Sequence, residues 1–115
     1  MNIEALSDIG ERNQPVTMGL IIGTVAAVFV VDTSALIGRG RTAEVAQARQ
    51  AAMYVMSMTD KYTLAAIGGS LGGRSPATVS HGFQVIAKSI KRQITLRNKI
   101  KEVQGILSRG LDRTA

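Results

Sequence analysis

Residues 68–75 read Gly-Gly-Ser-Leu-Gly-Gly-Arg-Ser, one substitution from the phosphate-cradling pattern of Gly, four residues, Gly-Lys-Ser/Thr. Arg74 stands where that pattern needs lysine. Such a loop also needs a buried strand before it and a magnesium-binding acid after it. Thr63 to Ile67 reads instead as helix and no such acid follows, so no nucleotide is expected. The same glycines serve as turn residues between two helices. Other chemistry has little to stand on. The chain has no cysteine and a single histidine, His81, which excludes thiol nucleophiles and multi-histidine metal sites. Its eight carboxylates form no close pair in sequence, so two-carboxylate or two-metal catalysis has no visible support. With two Tyr and two Phe, a base-stacking platform is not expected either. These residues predict a binding protein without a cofactor or metal, not an enzyme.

The charge says what it binds. Residues 1–38 carry one basic and four acidic side chains, whereas residues 39–115 carry thirteen basic and four acidic, a net +9. That asymmetry predicts a polyanionic partner for the second part. Arg39 and Arg41 alternate with Gly38 and Gly40, and a basic loop with glycines can approach a phosphate backbone closely. Lys88, Lys91, Arg92, Arg97, Lys99 and Lys101 add six cations with no acid across 88–101.

These groups need helices to place them. At 115 residues the chain has room for one domain. Residues 1–15 read as a flexible arm, 16–109 as the domain and 110–115 as a frayed tail. Val16 to Val31 is nearly all apolar or small and approaches the length of a membrane span. Its Thr17, Gly19, Gly23 and Thr24, and the missing aromatic belt, favour a buried helix with Leu20, Val25, Val28 and Val31 near helical spacing. No membrane is therefore expected, and with no secretory signal in view the expected compartment is the cytoplasm. Residues 32–44 read as a connector.

Ala43 to Met58 is rich in helix formers, with Arg49 and Gln50 expected on a more polar face. Thr63 is an N-cap for a short helix from Leu64 to about Leu71, and Gly72-Gly73 suits positive φ at its end. Ser75 caps the next helix, Pro76 fits its first turn, and Val79, Phe83, Ile86 and Ile90 form its buried stripe. Two helices joined by this turn make a helix-turn-helix, whose second helix commonly enters the major groove. A last helix, with Ile100, Val103 and Leu107 inside, is expected to end near Ser108.

Here the sequence resembles the C-terminal DNA-binding domain of the bacterial replication initiator DnaA. That family carries a signature close to Gly-Gly-Arg-Asp-His-Thr-Thr-Val-x-His-Ala; residues 72–82 read Gly-Gly-Arg-Ser-Pro-Ala-Thr-Val-Ser-His-Gly. Ala48-Arg49-Gln50 followed by Ala52-Met53 resembles the family's Pro-Arg-Gln-x-Ala-Met block, and Leu64 to Gly68 its Leu-Pro-Glu-Ile-Gly. These blocks match without gaps, and the likeness covers about residues 20–108. It implies an all-α helix-turn-helix domain that binds double-stranded DNA in control of replication initiation or transcription. The chain has no room for the family's ATPase module.

The resemblance also implies roles. Arg41 matches the arginine that enters the minor groove; Arg49, Gln50, Thr78 and His81 match groups that hold phosphates. Arg74, Ser75 and Ala77 complete the expected DNA-contacting set. The family's base-reading Asp-His-Thr is replaced by Ser75-Pro76-Ala77. Proline has no donor and alanine offers only a methyl, so base readout is expected to be weakened or changed. That loss raises an alternative: an adaptor whose partner is the initiator itself or a protein regulating it.

Overall fold

The computed structural model describes residues 16–112, so the expected arm and residues 113–115 lie outside the described residues. Among the described residues the chain forms six helices and no strand. They are α1 (Met18–Phe29), α2 (Thr33–Ile37), α3 (Ala43–Met58), α4 (Leu64–Ser70), α5 (Pro76–Ser89) and α6 (Ile94–Asp112). Three of them start on the side-chain oxygen of a threonine. Thr17, Thr42 and Thr63 accept from the backbone N–H of Leu20, Val45 and Ala66 at 3.0, 3.2 and 3.0 Å. Each cap satisfies an N–H that the first helical turn leaves without a partner.

The apolar stretch becomes α1. At twelve residues it is about 18 Å long, and no described helix is long and apolar enough to cross a membrane. Its inward stripe is Ile21, Val25 and Phe29, flanked by Ile22 and Ala26. Leu20, expected inside, is 47% exposed. Val25 is buried as expected, Val28 and Val31 are half-buried, and Ile21 and Phe29 take the inward places that Leu20 does not; in so uniformly apolar a run, periodicity cannot fix the face.

α1 ends on Val30, in the left-handed region at φ 57° and 86% exposed. The N–H groups of Val30 and Val31 donate to Ala27 O and Ala26 O at 3.3 and 2.9 Å, which offsets part of the cost. A β-branched residue is poorly suited to that backbone. Val30→Gly is expected to stabilise the protein by about 0.5–1 kcal/mol in urea unfolding, with relief of strain exceeding glycine's entropic cost. A loss of stability would mean that the left-handed cap is absent in solution.

Part of the expected connector is helical. α2 is little more than one turn, held because Leu36 is completely buried. The central element is α3, which packs against each of the other five helices. Ala48, Ala51 and Ala52 are fully buried and let neighbours approach closely, while Met53 and Met56 fill the remaining space. Surrounded on so many sides, α3 has no polar face at Arg49, and the expectation of one is corrected: Arg49 is only 8% exposed.

The helix-turn-helix is α4, the turn 71–75 and α5. Gly72 and Gly73 have φ +85° and +80°, as the sequence predicted. Val79 and Ile86 of α5 are buried, and Phe83 stacks on Tyr54 of α3 at a centroid distance of 5.1 Å. α6 runs to Asp112, past the expected end near Ser108, and buries Leu96 as well as Ile100, Val103 and Leu107.

Candidate nucleic-acid interface

Ser75 caps α5 with its side chain. Its Oγ accepts from the Thr78 N–H at 3.2 Å and lies 3.0 Å from Thr78 Oγ1, so the two hydroxyls are paired. Pro76 occupies the first helical turn, where no N–H is needed. Because Val79, Gly82 and Ile86 face α3, the opposite side of α5 is left to solvent. Ser75, Pro76, Ala77, Thr78 and His81 are all exposed, and Gln84 and Lys88 continue that face. At the positions of the family's base readers, Ser75 and Ala77 thus present one engaged hydroxyl and one methyl.

The basic loop lies beside the start of α5. Arg39 and Arg41 are exposed. Together with Arg49, Arg74, Gly38, Gly40 and Gly72 they line a cleft of about 410 Å³. Four guanidinium groups and no carboxylate line this cleft, which makes it a site for negative charge.

Two of those arginines face inward. Arg49 donates Nε–H to Leu36 O at 2.8 Å, and its Nη2 donates to Ala35 O, Gly40 O and Gly38 O at 2.8, 3.1 and 3.4 Å. These acceptors are the carbonyls at the end of α2 and the start of the basic loop. Burial, and secondarily the charge of Arg74, pull its pKa below the ordinary guanidinium value. The carbonyl oxygens offset that cost by accepting charge-assisted hydrogen bonds. Arg74 donates Nη2–H to Gly38 O at 2.8 Å and Nη1–H to Ile37 O at 3.3 Å and to Leu71 O.

The expected site residues therefore divide. Arg41 stands exposed on the loop; Ser75, Ala77, Thr78 and His81 share the free face of α5; Arg49 and Arg74 lie between loop and turn. Gln50 is half-buried, with its stem facing Gly82 of α5. Sequence reasoning did not include Arg39 in the site, although its alternation with glycine was the available signal. It had no means of finding the carbonyls of Ile37 and Gly38, since backbone acceptors carry no side-chain signature. Of the basic run 88–101, Lys99 is drawn out: its Nζ lies 5.1 Å from the Phe29 ring centroid. No group of three or more His, Cys, Asp or Glu side chains able to hold a metal occurs among the described residues.

A family model described as the bacterial DnaA protein helix-turn-helix matches residues 18–86. The chromosomal replication initiator protein DnaA of Neisseria meningitidis serogroup B is 38% identical over 85 residues, which are 73% of this chain and 16% of that protein. The protein of the same name from Roseiflexus castenholzii is 35% identical over 102 residues, 87% of this chain and 21% of its own. That from Lachnoclostridium phytofermentans is 34% identical over 99 residues, covering 84% and 22%. The chain thus spans about a fifth of the length of these relatives.

Proposed function

The chain belongs to the bacterial DnaA helix-turn-helix family, and from that premise we propose that it binds double-stranded DNA in the control of replication initiation. The observation that carries the reading is the cleft of arginines set directly beside the exposed N-terminal face of α5. In this reading α5 enters the major groove. Arg41, with Arg39 beside it, enters the adjacent minor groove. Thr78, His81 and Gln50 hold backbone phosphates, contacts that orient a protein without reading sequence.

Readout of bases is reduced. Ser75 Oγ already accepts the Thr78 N–H. Pro76 lacks a donor, and Ala77 has a methyl suited only to a thymine methyl. Each bidentate base contact absent here removes about 1–3 kcal/mol of discrimination.

Fluorescence anisotropy across a salt series tests this, with a duplex carrying the initiator's recognition box and a scrambled duplex. With Arg39 and Arg41 as the free cations placed on the DNA, log K falls against log salt with a slope of about −2 or steeper. With no bidentate base reader left at residues 75–77, the two duplexes are expected to bind within about tenfold of each other, no more than one base contact would supply. Arg41→Ala should make the slope shallower by about one. Absence of salt-dependent binding to either duplex would overturn the DNA reading.

An adaptor acting on the initiator or its regulator is the second reading. It is favoured by a different surface: Val30, 86% exposed, on the rim of a cleft of about 520 Å³ lined largely by Ala26, Ala27, Val31, Ala35 and Val45. Failure to bind either duplex at low salt, with retention of the initiator in a nuclease-treated pull-down, would support it.

A further inference from the structure

We propose that Arg74 and Arg49 are positioning residues that join the basic loop to the helix-turn-helix as one rigid reading unit. The spacing between the minor-groove arginines and α5 is then set by backbone carbonyls and not by the DNA. The proposal rests on the DNA-binding reading above and deepens it.

No side chain of the loop itself reaches the helix-turn-helix. Gly38 and Gly40 have no side chains, and Arg39 and Arg41 are exposed. The Gly38 N–H bonds to Ser34 O at 2.9 Å, and Gly40 lies against Val45 and Ala35. Those contacts tie the loop to α2 and α3 but not to the turn before α5. What joins it to that turn is guanidinium. Arg74 comes from the turn before α5 and takes the carbonyls of Ile37 and Gly38, 37 and 36 residues away in sequence. Arg49 comes from α3 on the other side and takes Leu36, Ala35, Gly38 and Gly40. Gly38 O thus accepts from both arginines.

The backbone of the turn also meets the loop. Gly72 has φ +85°, and a Cβ there would overlap the Ile37 carbonyl oxygen. Two planar forks on converging carbonyls restrict rotation as well as distance, which a lysine's single point charge cannot do. These forks are occupied by carbonyls, so direct capture of a phosphate is not their main work. Their charge still enriches the cleft that Arg39 and Arg41 complete.

The test uses the full chain and Arg74→Lys, which keeps the charge and loses the fork. In the free protein, backbone order parameters at residues 38–41 are expected near about 0.85 in the wild type and below about 0.6 in the variant. Those of α3 should be unchanged. On the box duplex, Arg41→Ala is expected to weaken binding at least about tenfold less in the Arg74→Lys background than in the wild type. The salt slope of Arg74→Lys itself should stay at the wild-type value, because no phosphate contact is removed.

Arg74→Met, which keeps the stem and removes every donor, serves as the second variant if lysine still bridges one carbonyl. Unchanged order parameters in both variants, or penalties that simply multiply, would overturn the proposal. If the protein binds neither duplex, the coupling of grooves falls with the DNA reading, while the order parameters still decide the anchoring.

Discussion

Arg49→Ala is expected to cost about 2–4 kcal/mol of stability, because a buried carbonyl left without its donor costs about 1–3 kcal/mol and a lost buried stem adds to it. Arg49 is 8% exposed and makes four hydrogen bonds to carbonyl oxygens between Ala35 and Gly40. Alanine removes the side-chain donor from the Ala35, Leu36 and Gly40 oxygens between α2 and α3, while Gly38 O keeps Arg74. It also leaves a cavity in the shape of the arginine stem. Native proteins hold only about 5–15 kcal/mol in total, so the variant would retain a fraction of its margin. For a domain of this size 1 kcal/mol moves Tm by about 4–8 °C, and thermal unfolding should show a drop of at least about 8 °C.

Arg49→Lys should recover only part of this, since lysine cannot span the same carbonyls. The role implied by family resemblance, a phosphate contact, predicts a different pattern: near-normal stability and a salt slope shallower by about one. A loss of under about 1 kcal/mol in the alanine variant would show that the guanidinium is not spent on the loop.

The turn of the helix-turn-helix gives the second large effect. Gly68→Ala is expected to destabilise by about 2–4 kcal/mol, although alanine is the better helix former by about 1 kcal/mol. Gly68 is buried within α4, and a Cβ there would overlap the backbone carbonyl of Arg74. Its own carbonyl accepts from the N–H groups of Leu71, Gly73 and Arg74 at 3.1, 3.0 and 2.9 Å. The methyl and the turn compete for the same space, and neither side of the clash is a flexible side chain. The turn would open, carrying Arg74 away from the loop and shifting the start of α5.

Gly69→Ala is the matched control. Nothing lies within 4 Å of a Cβ at that position, so helix propensity acts alone and a gain of about 0.5–1 kcal/mol is expected. Equal effects at the two glycines, measured by urea unfolding, would contradict the close approach at Gly68.

Much of this protein is written locally. Thr63, Ser75, Pro76 and the Gly72-Gly73 pair define the ends of α4 and α5 because caps, an N-terminal proline and positive-φ glycines act within a few residues. The stripe of α5 is legible for a similar reason: its polar face makes the apolar spacing stand out. The gathering of arginines after residue 38 and the exposed Ser75-Pro76-Ala77 start of α5 follow from the same kind of reading.

The remainder depends on what lies across the fold. In α1 nearly every residue is apolar, so only packing against α3 and α6 selects Ile21, Val25 and Phe29 over Leu20. α2 exists because Leu36 finds a pocket, not because residues 33–37 favour helix. Arg49 and Arg74 look in sequence like the other cations of a basic protein. Tertiary structure alone turns them inward, because carbonyls from residues 35–40 converge there and a buried guanidinium is stable only where such acceptors meet it.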